Sequence, residues 1–116
     1  MTDYRELLEL SALAMGMDGR ISDLYHGSGL CFVGNDDDGV YAWLDDDGDC
    51  ARLCAALLIG TTWWNHKVEC WCVDELKDIN IDSTPEQFTD HNDDRSAAWR
   101  LAALRVAAEI GKGMRG

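Results

Sequence analysis

Cysteine and aspartate are the residues of this 116-residue sequence with the most chemistry to offer. The five cysteines include two close pairs, Cys50-x3-Cys54 and Cys70-x-Cys72, with Cys31 apart. Structural zinc sites use short Cys knuckles in loops, where four ligands converge. Here Cys50 and Cys54 sit at core positions of an amphipathic helical pattern, and Cys70 and Cys72 fall on one face of a strand pattern. Reduced thiols acting as small buried hydrophobes account for all of them, and no metal or other cofactor is expected. An odd number of cysteines also argues against a disulfide framework.

The aspartates form two runs, Asp36-Asp37-Asp38-Gly39 and Asp45-Asp46-Asp47-Gly48. A calcium loop of the EF-hand type needs oxygen ligands at alternate positions, a glycine at the sixth and a glutamate at the twelfth. Gly39 at the sixth position puts Gly34 first, and Gly48 puts Trp43 first. Starting at Asp45 places Cys50 where the glycine belongs and Ala56 where the glutamate belongs. Every register fails. Turn formation and helix capping use most of these acids, yet seven within residues 36–49 exceed what two turns require.

Catalytic patterns are thin. His26, His66 and His91 are isolated beside turn-like residues. There is no G-x-S-x-G elbow, phosphate-binding glycine loop or H-E-x-x-H. A Cys–His pair such as Cys70 with His66 stays open as a nucleophile-base combination, but nothing in the sequence selects it. No catalytic residue is assigned, and the chain is expected not to be an enzyme. Five tryptophans are many for this length. Adjacent residues on a strand face opposite ways, so one of Trp63 and Trp64 is expected near the surface, as an anchor for a partner.

The elements that carry these residues follow from periodicity. Residues 4–17 read as a helix capped by Thr2 or Asp3, with Tyr4, Leu7, Leu8, Ser11 and Met15 on one face and Gly19 as its stop. Residues 21–26 are a short strand or connector, and Gly27-Ser28-Gly29 breaks the pattern. Leu30–Val33 and Val40–Leu44 flank the polar turn at residues 35–39 as a hairpin. Cys50, Leu53, Cys54, Leu57 and Leu58 form the stripe of a second helix over 49–59, with Asp46 or Asp47 as its cap and Gly60 closing it. A second strand pair, 61–64 and 68–73, surrounds Asn65-His66-Lys67. Residues 74–94 read as an ordered loop or short helical turn, and 94–111 as a third helix ended by Gly111 and Gly113. The third helix carries two apolar stripes, one led by Trp99 and one by Leu101.

These elements predict one α+β domain spanning 1–116, with a small antiparallel sheet of about four strands packed with three helices. The second stripe of the third helix either packs inside the domain or joins a second copy in a symmetric dimer.

Charge is unevenly spread. The net charge is −12, made up of −3 over residues 1–35, −13 over 36–94 and +4 over 95–116. Such a balance disfavours direct binding to nucleic acid or anionic lipid. No apolar run approaches the ~18 residues that span a bilayer, and the N-terminal residues lack the basic segment of a secretory signal. A cytoplasmic protein is expected.

Three stretches resemble small accessory proteins of tailed bacteriophages and prophages. They are Tyr4–Leu10 with Ala14, the Asp46-Asp47-Gly48-Asp49 turn followed by Arg52-Leu53, and Arg100–Ala102 through Arg105–Gly111. The resemblance covers about half the chain and implies a phage accessory protein acting in the host bacterial cytoplasm. It carries no catalytic residues. Combined with the charge, it suggests a non-enzymatic inhibitor of a host defence or nucleic-acid enzyme, of the anti-CRISPR or anti-restriction type. Such a protein offers carboxylates spaced like phosphates to a basic nucleic-acid-binding complex. Asp36, Asp37, Asp38, Asp45, Asp46 and Asp47 are the expected contacts, with Trp63 and Trp64 as apolar anchors. Two other classes stand beside it. One sequesters a nucleotide messenger through Arg95, Arg100 and Arg105; the other is a small enzyme using cysteine and histidine.

Overall fold

Among the described residues, three α-helices and seven strands follow in the chain order α1 (Tyr4–Ala14), β1 (Gly19–Ser22), β2 (Cys31–Gly34), β3 (Val40–Tyr41), α2 (Asp47–Leu57), β4 (Ile59–Trp63), β5 (Lys67–Asp74), β6 (Ile79–Asp82), β7 (Glu86–Gln87) and α3 (Arg95–Arg115). The computed structural model describes residues 4–22, 31–34 and 39–115. Asn35, Asp36, Asp37 and Asp38 of the expected turn, His26, the Gly27–Gly29 break and the caps at Thr2 or Asp3 lie outside these residues.

The fold is α+β, as the periodicities predict, with the strands divided into two sheets. β1, β2 and β3 form an antiparallel meander, with Phe32 opposite Tyr41 and Val33 opposite Val40. β4, β5 and β6 form the second sheet, and β7 pairs with the start of β5. β6 and β7 were not legible because residues 74–94 hold only scattered apolar side chains. Ile79 and Ile81 alternate with Asn80 and Asp82 over four residues, and that suffices once β5 supplies a template from Trp71 to Asp74.

Local chemistry explains the ends of the helices. Gly16, at φ 71°, closes α1: Met17 N donates to Ala12 O and Gly16 N to Leu13 O, the paired bonds of a left-handed stop. Gly19, expected as that stop, lies in β1. Asp46 caps α2 by accepting from Gly48 N at 2.9 Å. Leu58 closes α2 in the left-handed region at φ 60°, with its N–H donated to Cys54 O. Gly60, expected to close α2, instead lies in β4 beneath Trp71. A Cβ there would meet the indole at 2.3 Å.

α3 is the hub of the molecule. It packs on α1, on the inner face of β5 and on α2. Ala98, Leu101–Leu104, Val106–Ala108 and Ile110 are all buried. Both apolar stripes are therefore covered from within the chain, one by α1 and the other by the sheet. The exposed positions at the far end of α3 are Glu109, Lys112, Gly113 and Met114.

The backbones of α1 and α3 come into close approach at Gly111. Ser11, fully buried, donates its hydroxyl to Leu104 O at 3.4 Å. Gly111 touches Leu10 so closely that a Cβ would lie 1.9 Å from the Leu10 carbonyl oxygen. Gly111 is thus a crossing point and does not end α3, which runs on to Arg115. The core face of α1 is Leu8, Leu10, Ser11 and Ala12, whereas Tyr4 remains exposed. The Cα radius of gyration is 13.6 Å, close to the roughly 13 Å expected of one packed body of this length.

Two substitutions test these assignments. Gly111→Ala would stabilise an ordinary helical site by about 1 kcal/mol. Here it must separate two helices, so denaturant unfolding is expected to show a loss of about 2 kcal/mol or more; a gain refutes the crossing. Leu58→Gly should relieve the left-handed strain and stabilise by about 1 kcal/mol. A loss in the same measurement shows that Leu58 is not strained.

Candidate functional site

Three tryptophans are exposed among the described residues, Trp71 on β5 and, more fully, Trp63 and Trp64 together at one corner. Trp63 ends β4 and Trp64 opens the turn into β5, where Trp64 N donates to Lys67 O at 2.9 Å across Asn65-His66. Strand alternation stops at Trp63, so the expectation that only one of the pair nears the surface is superseded. Trp63 is 50% exposed and Trp64 48%. Burial takes the other indoles to different degrees. Trp43 is fully buried, stacked on Phe32 and Tyr41 at centroid distances of 5.7 Å. Trp99 is partly buried and donates to Thr61 Oγ1 at 3.0 Å, while Trp71 lies across Gly60 and donates to Thr62 Oγ1 at 3.2 Å.

The corner has a rigid base. Trp63 packs on buried Phe88, with ring centroids 6.3 Å apart. Phe88 begins a 3-10 turn, Phe88–His91, and its N–H is donated to His66 O at 2.9 Å. The Arg95 guanidinium lies over the Phe88 ring at 5.1 Å, and Lys67 Nζ lies 5.3 Å from the Trp64 ring. Beneath the turn, the buried carboxylate of Glu86 holds His91 Nε2 at 2.9 Å and Arg105 Nη1 at 3.3 Å. This clasp fixes the 3-10 turn to α3. The same segment carries three exposed acids, Asp90, Asp93 and Asp94. Asp94 also caps α3, accepting from Ala97 N at 3.1 Å. The sequence reading missed these acids, because an Asp-Asp pair before a helix reads first as capping.

The second aspartate run lies beside another part of α3. Asp46 is spent on the α2 cap. Asp47 pairs with Arg100 Nη1 at 2.5 Å, and Arg100 Nε also donates to Leu44 O at 2.6 Å. Asp49 accepts from Ala42 N at 2.9 Å and from Arg52. Asp45 is exposed; its backbone N–H is donated to Ala42 O at 3.0 Å, and its side chain makes no hydrogen bond or ion pair among the described residues. Arg100 follows Trp99 on α3, so the Asp45–Asp47 turn and the tryptophan hairpin flank one stretch of that helix. The structure thus puts these acids and Trp63–Trp64 near a common support, with Asp46 and Asp47 already engaged.

The three arginines named for a nucleotide pocket do not converge. Arg95 covers Phe88, Arg100 meets Asp47 and Arg105 meets Glu86. Two open clefts of about 650 and 670 Å³ occur among the described residues. One lies between α1, α3 and the chain after β6, lined by Glu6, Asp82, Arg105 and Lys112 among others. The other is bordered by Leu57, Leu58, Ile79 and Met114. Neither includes the tryptophan corner.

The cysteines are free and buried. Cys70 lies 3.6 Å from Thr61 Oγ1, and burial pushes its thiol up to about 12. A hydrogen bond with Cys54, together with burial, pushes Cys50 well above the usual thiol range. Cys72 donates to Leu57 O at 3.3 Å, and burial raises it too. His66 is exposed whereas Cys70 is sealed in the core, so the geometry gives that pair no shared site. Among the described residues, no group of three or more His, Cys, Asp or Glu side chains is arranged to hold a metal ion. No helix among them is long and apolar enough to cross a membrane.

The buried thiols should resist a thiol-specific reagent at neutral pH in the native protein, and all five should react once the chain is unfolded. Rapid stoichiometric labelling of the native protein contradicts that burial. No family model, curated protein or solved structure matches this chain, and the functional reading is carried by the tryptophan corner and its charges.

Proposed function

We propose that this chain is a non-enzymatic binding protein that engages a basic protein partner through the Trp63–Trp64 corner. The observation that carries this reading is the pair of half-exposed indoles on a rigid base within an acidic surface. Large aromatic side chains left in water at one place are characteristic anchors of protein interfaces. Their surroundings are acidic on the segment that wraps Phe88, through Asp90, Asp93 and Asp94, and at Asp45 beyond Trp99. The region from 36 to 94 carries −13, so long-range attraction favours a basic partner and repels nucleic acid.

Within this reading the partner is a host defence or nucleic-acid enzyme, and the carboxylates occupy the groove built for phosphates. The resemblance of the two ends and the centre to phage accessory proteins supports a bacterial host and a cytoplasmic site of action. Asp36, Asp37 and Asp38 add three of the charges counted over residues 36–94 in the sequence. Asp46 and Asp47 contribute field more than direct contact, since the α2 cap and Arg100 hold them.

Capture from bacterial lysate, followed by activity assays on the captured enzyme, tests this. The expected partner is basic and binds nucleic acid, and its activity falls on addition of the chain. Replacing Trp63 and Trp64 together by alanine should weaken capture about a hundredfold, the effect of removing two interface anchors. Raising salt from about 0.05 to about 0.3 M should weaken it about tenfold or more. A partner whose binding ignores both changes sinks the proposal.

A further inference from the structure

Antiparallel ladders use the backbone groups of alternate residues on each strand. The bond from Trp64 N to Lys67 O makes that pair a hydrogen-bonded one. Counting back along the register, Thr62 with Glu69 and Gly60 with Trp71 are the next bonded pairs. Ile59, Thr61 and Trp63 therefore turn their N–H and C=O away from β5. No strand among the described residues lies on that side of β4. No turn, loop or cap bond among those residues occupies the backbone of Thr61 or Trp63.

Natural sheets blunt such an edge with lysine, proline, a bulge or a covering element. The run Ile59-Gly60-Thr61-Thr62-Trp63-Trp64 has no charge and no proline. Its pairing with β5 runs through five consecutive residues without a bulge. α3 reaches β4 through the Trp99–Thr61 side-chain bond. Thr62, Trp63 and Trp64 stay exposed.

We propose that the free edge of β4 takes up an extended lysine- or arginine-rich segment of the partner as an added strand. This rests on the reading of the tryptophan corner as a surface for a basic protein, and says how that protein is held. Main-chain bonds to Thr61 and Trp63 supply register. Charge selects the occupant. A second copy would bring another −12 to a chain whose residues 36–94 already carry −13, whereas a basic strand brings the opposite sign. Its side chains alternate, one set toward Trp63 and the acids beyond Phe88, the other toward Trp71 and Glu69. Lys67 over the Trp64 ring already illustrates an indole face taking an ammonium group here.

Amide hydrogen exchange followed by NMR tests this, with a blocked lysine-threonine repeat peptide as probe and a glutamate-threonine repeat as control. At saturation the basic peptide should slow exchange of the Thr61 and Trp63 amides about tenfold or more, the protection a new main-chain bond gives. The Thr62 amide, already in the ladder, should not change, and the acidic peptide should do nothing. Thr61→Pro deletes an outward N–H while sparing the backbone bonds to β5; because it also removes the hydroxyl that Trp99 and Cys70 meet, Thr61→Val is its control, and the proline variant should bind the peptide about tenfold more weakly than the valine one. Thr62→Lys places a like charge beside the edge without touching the core, and should weaken it also. Indole signals that move while the Thr61 and Trp63 amides stay unprotected overturn strand addition and leave the tryptophan corner as a binding surface. No response of indoles or amides overturns strand addition. Protection that needs no peptide and grows with protein concentration, alongside a doubled mass, overturns the basic occupant in favour of a second copy. Loss of partner capture in the Trp63 and Trp64 variants but not in Thr61→Pro likewise separates the two readings.

Discussion

The close approach of α1 and α3 at Gly111 governs the packing of the molecule. Leu10 O sits where a side chain at 111 would begin. At that separation only small residues fit between the axes, and α3 supplies them: Ala98, Ala102, Ala103, Ala107 and Ala108 are all buried. A helix with such short side chains gains stability only if its partners come near on several sides. α1 comes near on one side and β5, with Val68, Cys70 and Cys72, on another. The thiols belong to this same economy of size. Each occupies about the volume of a small aliphatic group where Leu or Ile would push the sheet off the helix.

Charge is arranged around that hub. The basic residues of α3 point in different directions, Arg100 to Asp47 and Arg105 to Glu86, while Arg95 lies on Phe88. They tie the α2 turn and the 3-10 turn to the central helix and offset part of the acidic surplus. The Glu86 clasp is nearly buried, and its value lies in specifying where the Phe88 turn sits. That turn in turn supports Trp63. The rigidity of the exposed corner therefore derives from the interior.

Sequence periodicity located all three helices and both principal hairpins, because each buries one well-marked face. It misread glycine. Gly60 and Gly111 look like punctuation, yet both lie inside elements at points of close contact, which a single sequence does not reveal. The α2 stop fell instead on Leu58, a residue that favours the left-handed region poorly. β6 and β7 went unseen since their pairing depends on β5 more than on their own composition. Of the candidate site, Trp63 and Trp64 were legible as an excess of large side chains. Their common exposure was not, because it depends on where the strand ends. The acids at Asp90, Asp93 and Asp94 were hidden in a polar stretch, and their proximity to Trp63 arises from Phe88, one apolar residue among many polar ones.

The hub is also the last of these elements to be synthesised. Ser11 and Leu104, joined by a hydrogen bond, are 93 residues apart in the chain. Until α3 leaves the ribosome, α1 has no partner, the inner face of β5 is bare, and the acidic body lacks its main cations. Native structure then requires closing a loop almost as long as the domain, and the entropy of that closure is lost before the contacts of α3 offset it. During that interval the uncharged β4 edge and the core thiols stand open to solvent together. Acidic self-repulsion, a cost to the finished fold, then serves to keep nascent chains apart.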